Sequence, residues 1–475
     1  MTLNLRRPIL VGGIGLSLAL WLLDSFQHSV AELGEVALFG LAVAGAGWWW
    51  SQGRSPSIDF APTPVNRETA EKAIATTETA INLLAAESPN CDTTSSLKQQ
   101  LNLLIAELDR QDLRLCVAGG KAVGKTVLIQ ALQSEWREKQ LSFWEAAPLF
   151  MGKDEAKISS DLVLFVTAGD ITDPEFQTIS QLVSAGQRLV LVWNKLDQYL
   201  PEQQAQVLQQ LRHRMQGILA AEDVVAIASS PSPIKVRQHQ SDGTVQEWGE
   251  NQTAQIGTLT ERLSQIITQE SQKLVLANTI RRAANLKLDV KVVLDRVRRD
   301  RALPVIEQYQ YIAAAAAFAN PVAALDLLAT AAISTQMVIE IGAIYQQKFS
   351  LDQAKTVAST LATQMLKLGL VELSTKTITA VLKSNTITFV AGGIVQGVSA
   401  AYFTRIAGLS LIEYFQTQDI STDTTDVNNL KVNLAKTLQT VFQQNQQVAV
   451  LQTFVKQIMQ RLLPESPKSE LPLNA

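Results

Sequence analysis

At 475 residues the chain exceeds one ordinary core, and two or three structural units are expected. Apolar residues make up 47% and charged residues 18%, with the apolar excess gathered in residues 1–50 and 311–415. The formal net charge of −3 lacks the basic surplus on which nucleic-acid binding rests, so no nucleic-acid partner is expected. Two distant cysteines (Cys91 and Cys116) and three scattered histidines (His28, His213 and His239) build neither a disulfide framework nor a metal-ligand spacing, which points to a reducing compartment.

Arg6 and Arg7 precede an apolar run over residues 8–23, a polar stretch over 24–32, and a second apolar run over 33–50 broken by Glu35. As a helix the first run spans roughly 24 Å, against a hydrocarbon core of about 30 Å, so flanking residues or local thinning would make up the difference. Trp48, Trp49 and Trp50 sit where an interfacial aromatic belt belongs. Arg6, Arg7 and Arg54 lie outside the runs, and Asp24 and Glu32 lie between them, so both ends would stay in the cytoplasm. The expectation is a two-helix membrane hairpin over residues 1–54 and an integral membrane protein whose following domains face the cytoplasm. A cleaved signal peptide would begin the same way, although no small-residue cleavage site follows Leu23. A buried helical hairpin of a soluble protein is the other alternative.

Residues 55–112 read as a linker carrying Pro56, Pro62 and Pro64, then a spacer with helices over 67–87 and 97–110. From residue 113 the pattern alternates. Strands are predicted over 113–118, 141–145, 161–167, 188–193 and 224–228, and helices over 123–139, 173–185 and 202–220. Continuous apolar strands between helices predict a mainly parallel sheet covered on both faces. A hairpin turning at Ser241, Asp242 and Gly243 should follow, and then a long helix over 256–301 ending before Pro304.

Gly119, Gly120, Lys121, Ala122, Val123, Gly124, Lys125 and Thr126 read GGKAVGKT, which fits G-x-x-x-x-G-K-[ST] between a strand and a helix. The glycines let successive N–H groups face phosphate oxygens, and the helix start adds its positive dipole end. Lys125 would reach the β- and γ-phosphates, and Thr126 would place its hydroxyl on Mg²⁺. After the strand ending at Trp193 come Asn194, Lys195, Leu196 and Asp197, an N-K-x-D turn. The carboxylate of Asp197 can accept from N1–H and the amino group of guanine, a donor pair that adenine lacks. Ser229 and Ser230, after the next strand, lie where a backbone N–H would meet guanine O6.

With these motifs in this order, residues 113–230 resemble an Era/TrmE-type GTPase domain, an α/β P-loop fold. The resemblance implies GTP or GDP with Mg²⁺ as ligands. It also marks departures. Little chain separates the P-loop helix from the next strand, which leaves no switch-I threonine. Glu145 stands at the usual aspartate position, from which it could hold Mg²⁺ through water, and Pro148 stands at the usual glycine. A proline has no N–H to offer a γ-phosphate. Slow hydrolysis without the usual loop switch is therefore expected, and no catalytic residue is assigned.

Residues 301–416 resemble a YcjF-type helical domain of unknown function, on the alanine-rich run into Asn320 and Pro321, Leu325 to Leu328, and the later glycine-rich helix ending at Glu413, Tyr414 and Phe415. That resemblance implies association with a GTPase and a membrane. Gly393 and Gly397 offer a small-x-x-x-small face. Asp326, Glu340 and Arg405 favour a tight helical bundle over further membrane spans. A glutamine-rich amphipathic helix from residue 423 and a Pro/Ser tail close the chain. The expected domains are thus a membrane hairpin (1–54), linker and spacer (55–112), GTP-binding domain (113–255), helical domain (256–416), and amphipathic helix with tail (417–475). The function expected is a membrane-anchored guanine-nucleotide-binding protein with degenerate switches, whose hydrolysis is slow or depends on a protein partner or homo-oligomer. The alternative is a pseudo-GTPase membrane scaffold that binds protein partners without turnover.

Overall fold

The computed structural model describes residues 64–89, 93–136, 141–149, 160–239, 245–319, 323–370, 376–380, 393–418 and 427–462. The expected membrane hairpin, most of the proline-containing linker, Cys91, the turn at 241–243, Asn320, Pro321 and the tail beyond 462 lie outside these residues.

Apolar runs too short for helices become strands. They are β1 (Leu113–Gly119), β2 (Leu141–Glu145), β3 (Leu162–Thr167), β4 (Leu189–Trp193) and β5 (Val224–Ala226). They form one sheet in the order β2-β1-β3-β4-β5, and every neighbouring pair is parallel. The connections carry α3 (Lys125–Glu135), α4 (Asp173–Ser184) and α5 (Pro201–Arg214), after α1 (Arg67–Glu87) and α2 (Thr93–Glu107). Period-two alternation divides each buried strand between two cores. Leu115, Val117, Leu164, Val166, Val190 and Val192 pack with Leu128 and Leu132 of α3 on one face. Cys116, Ala118, Val163, Phe165, Leu191 and Trp193 pack with Ile179 of α4 and Leu211 of α5 on the other. Burial pushes the Cys116 thiol up to about 12, as suits an inert apolar filler. Parallel pairing sends all five carboxyl ends to one edge, where ligands of such sheets bind.

Beyond β5 the chain makes the antiparallel hairpin β6 (Ile234–His239) and β7 (Val245–Glu250) and enters α6 (Gly257–Ala319), a helix of 63 residues. The break expected before Pro304 does not occur. A proline inside a helix costs about 3 kcal/mol, but Ala302, Ile306 and Tyr309 on either side of it are buried, and that packing offsets the lost hydrogen bond. The start of α6 covers the sheet through Leu259, Leu263 and Ile266. Its middle packs on α1 and α2 through Ala283, Leu286, Val290 and Leu294, which meet Ile81, Leu84, Leu101 and Leu104. The Thr77 hydroxyl donates to Ala283 O at 3.1 Å. The two helices expected as a spacer are therefore docked against α6.

The last part of α6 joins α7 (Ala323–Ile344), α8 (Leu351–Lys367), α9 (Gly393–Thr417), α10 (Val427–Asn445) and α11 (Val448–Leu462) around one core. Small residues set the α6–α9 approach. A Cβ at Gly408 would stand 2.6 Å from Ile306, and one at Gly393 would stand 3.1 Å from Phe318 O. The single C-terminal helix expected from residue 423 is two helices, α10 and α11, and both bury apolar residues such as Leu438, Phe442, Phe454 and Ile458 in this core. Glu340 accepts from the Tyr309 hydroxyl at 2.6 Å, and the Arg405 guanidinium lies 5.7 Å from the centre of the Phe454 ring.

The integral-membrane placement, with the GTP-binding domain on the cytoplasmic side, is corrected. Among the described residues no helix is long and apolar enough to cross a membrane. Among the described residues between 311 and 415, where the sequence favours a tight bundle over further spans, apolar side chains such as Met337, Ile341, Val398 and Ile412 pack into one core.

Candidate functional site

The carboxyl ends of β1 and β4 bring the two sequence motifs to the same edge of the sheet. At the end of β1, Gly119 has φ +145°, and a Cβ there would stand 2.2 Å from Val166 O on β3. Gly124, which precedes α3, has φ +94°, and its Cβ would stand 2.3 Å from Asn194 Nδ2. Neither position accepts a side chain. Ala122 also takes a left-handed φ of +60°. Residues 120–123 thus turn tightly into the first turn of α3, as a nest of N–H groups requires.

Lys125 is buried at 4% exposure. Its Nζ donates to Gly119 O at 3.2 Å and Gly120 O at 2.7 Å. Burial lowers its pKa, and Glu145 opposes that shift. Thr126 Oγ1 donates to Glu145 Oε2 at 2.7 Å, and Lys125 Nζ lies 3.9 Å from Glu145 Oε1. Glu145 is the last residue of β2, paired with Val117, so the strand end carries the carboxylate to the start of α3. Pro148 follows β2 and is exposed. Lys121 is exposed.

Asn194 ties the two motifs together. Its Nδ2 donates to Val123 O and to Ser229 Oγ, both at 2.9 Å, and its Oδ1 accepts from Ser229 N at 2.9 Å. It is 1% exposed. A buried amide with its donors and acceptor engaged fixes the phosphate loop against the loop after β5. Lys195 has φ +65° and leads into a short 3-10 turn, Leu196–Gln198, whose Leu196 N–H donates to Ile227 O at 3.0 Å. That turn presents Asp197, and Asp197 Oδ2 accepts from Ser232 N and Ser232 Oγ, each at 3.0 Å.

The two serines expected near guanine O6 are placed differently from one another. Ser229 spends its N–H and its hydroxyl on Asn194, whereas Ser230 is exposed. Ser232 was missed in the sequence. It lies 35 residues from Asp197 and beyond the loop that the motif order marks, so no spacing signal could have found it. Glu175 was missed too. It is 8% exposed, its Oε2 caps Thr172 at the start of α4, and its Oε1 would stand 3.9 Å from a Cβ on Gly120.

The oxygen donors Thr126 and Glu145 suit a hard cation such as Mg²⁺. Among the described residues no group of three or more His, Cys, Asp or Glu could hold a metal. A cation at this pair would need further oxygen ligands, which a nucleotide's phosphates supply.

A search of curated proteins finds no match. Among solved structures, the LeoA bacterial dynamin GTPase from ETEC aligns over 84% of this chain and 98% of its own at 12% identity, with a TM-score of 0.28. A chain of an oligomerised bacterial dynamin pair, described as a mechanism for long-range sensing and tethering of membranes, aligns over 81% of each chain at 11% identity and a TM-score of 0.22. Scores at that level do not establish a shared fold. A family match lies in the helical part of the molecule: residues 281–462, from the middle of α6 to the end of α11, match the model of a domain of unknown function, DUF697.

Proposed function

We propose that residues 113–255 form a guanine-nucleotide-binding domain of Era/TrmE type, followed by a helical domain of YcjF type. The observation that carries the reading is the Asn194 amide, which bridges Val123 of the phosphate loop and Ser229 beside the base turn at 2.9 Å. That bridge supports the reading of GGKAVGKT and NKLD as parts of one site. In that site the N–H groups of residues 119–126 and the Lys125 ammonium hold the phosphates. Asp197 selects guanine through its N1–H and amino group. Thr126, with Glu145, holds Mg²⁺, whose charge would be shared with the phosphate oxygens. Only five residues separate the end of α3 at Glu135 from the start of β2 at Leu141, which leaves no room for a long switch loop, and Pro148 offers no N–H. Hydrolysis is accordingly slow, or waits on groups supplied by a partner or a second copy.

Calorimetry with GDP, a non-hydrolysable GTP analogue and ADP tests the reading. Submicromolar to micromolar guanine-nucleotide binding without ADP binding is expected. Lys125→Ala should weaken it roughly 10- to 100-fold, and Asp197→Asn should erase the preference for guanine. Fast turnover by the isolated protein, abolished by Lys125→Ala, would overturn the slow-hydrolysis reading.

A second reading, a pseudo-GTPase that serves as a protein-binding scaffold, draws support from the way the site satisfies itself. Lys125 bonds the loop's own carbonyls and Glu145 bonds Thr126. Absence of binding to both guanine and adenine nucleotides would favour this second reading.

A further inference from the structure

We propose that the β6–β7 hairpin sets the base selectivity of the nucleotide site, through Ser232 acting as the positioning residue for Asp197. The inference rests on the guanine reading above and names an element that regulates that site.

The chain leaves the sheet at Ala228 and returns at Gln255. These two residues form an antiparallel bridge, with Ala228 N to Gln255 O at 3.0 Å and Gln255 N to Ala228 O at 2.8 Å. The bridge clips the excursion at its root, and among its described residues two touch the base turn. Ser229 bonds Asn194, and Ser232 bonds Asp197. The two contacts differ in what supports them. Ser229 is buried beside the phosphate loop. Ser232 is exposed and is held by the root of the hairpin. Its carbonyl accepts from Gln252 Nε2 at 3.3 Å, and it lies between Pro231, which is buried, and Pro233, which is exposed. A Cβ on Gly249 would stand 3.5 Å from Pro233, so Pro233 rests against β7. The next residue, Ile234, pairs with Glu250.

A carboxylate on a short turn swings about its side-chain torsions, and selectivity for guanine needs an open oxygen aimed at N1–H and the 2-amino group. Two donors from Ser232 hold Oδ2 in place. Among the described residues Oδ1 has no donor, which leaves its two lone-pair sites open to guanine. Preorganisation of this kind strengthens binding by removing the ordering cost. The hairpin itself is an isolated two-stranded sheet, a form of marginal stability alone. Every residue of β7 is exposed, including Trp248 at 45%. Anything that shifts the hairpin therefore shifts Ser232, and with it the affinity for the base, while the phosphate loop stays anchored by Asn194.

The test compares the full chain with Ser232→Ala, Ser232→Thr, Gln252→Ala and a variant in which residues 234–250 are replaced by a short Gly-Ser turn. Calorimetry measures GDP, IDP and inorganic pyrophosphate on each. IDP lacks the 2-amino group, so the ratio of GDP to IDP affinity reports on the second hydrogen bond of Asp197. Ser232→Ala and the hairpin replacement are each expected to weaken GDP roughly tenfold, to lower the GDP:IDP ratio, and to leave pyrophosphate unchanged. Gln252→Ala should act in the same direction more weakly, and Ser232→Thr should keep the wild-type ratio. If the wild type binds GDP while Ser232→Ala or the hairpin replacement keeps its affinity and ratio, the inference is overturned and the guanine reading stands. A wild type that binds pyrophosphate but prefers no base would overturn both.

Discussion

The two ends of the central sheet treat charge in opposite ways. At the amino end Asp161, 1% exposed, has two donors on each oxygen. Arg110 Nη2 and Asn278 Nδ2 reach Oδ1 at 2.7 and 2.9 Å, and Arg110 Nη1 and Arg114 N reach Oδ2 at 2.9 and 2.7 Å. Arg114 and Arg282 pair with Glu107 beside it. Arg281 donates to Gly186 O and Ser160 O, and burial lowers its pKa to about 10. At the carboxyl end Lys125 leans on two carbonyls, Glu145 on one hydroxyl, and Asp197 on a single serine, with Lys125 and Glu145 in a looser pair at 3.9 Å. The amino-end network joins α2, β1, β3 and α6, and every site on the Asp161 carboxylate is taken. Lys125 and Thr126 hold partners that a phosphate and a cation can replace, because an ammonium binds an oppositely charged phosphate more strongly than a carbonyl, whereas Ser232 keeps its hold on Asp197. Charge held chiefly by opposite charge marks the structural end, and charge held chiefly by neutral groups marks the working end.

The contrast yields predictions of graded size. Asp161→Ala leaves Arg110, whose side chain is 6% exposed, buried without its main counter-charge, and should cost about 3–5 kcal/mol of stability, read by urea unfolding. A loss below about 1 kcal/mol would mean that the network is not a latch. Next comes Gly124→Ala. With φ at +94° and Asn194 Nδ2 2.3 Å from the new methyl, it should cost about 1–3 kcal/mol and also prise the phosphate loop from the base turn, so that GDP binding falls with stability. Lys125→Met separates the two effects. It removes a buried ammonium whose charged form burial disfavours, so ligand-free stability should hold or rise slightly, whereas the stabilisation that GDP adds in a thermal melt should vanish.

The working end was more legible in the sequence than what supports it. GGKAVGKT and NKLD are local strings whose chemistry depends on residues a few positions apart, and the runs that became β1 to β5 are apolar enough to read directly. Glu145 was legible as a strand-end carboxylate, though not its direct bond to the Thr126 hydroxyl. Asp161 was read only as the first residue of a strand, because three of its partners come from 47, 51 and 117 residues away. Ser232 was invisible for the same reason. Pro304 misled in the other direction. Local propensity ends a helix there, and burial of Ala302 and Ile306 carries α6 through, a case of tertiary packing overriding propensity. Likewise the glutamine-rich C-terminal stretch reads as one amphipathic helix with nothing in the sequence to say what its apolar positions meet. Only their burial at Leu434, Leu438, Phe454 and Ile458 places α10 and α11 in the core.

The smallest expected change is also the one that compares the two ends most directly, because it again neutralises a carboxylate. Glu145→Gln keeps the shape of the side chain and an oxygen to accept from Thr126. Its side chain is 35% exposed, so ligand-free stability should move by no more than about 0.5 kcal/mol, against several for Asp161→Ala. The effect should surface only with ligand and metal together. GDP affinity measured in EDTA should match the wild type, and the gain in affinity that Mg²⁺ brings should shrink, since one charged oxygen ligand has become neutral. Equal losses with and without Mg²⁺ would instead assign Glu145 to the shape of the loop, through the Thr126 bond, and would remove the carboxylate from the metal's surroundings. A large loss of ligand-free stability would erase the distinction between the two ends, because it would make the carboxyl end a second structural latch.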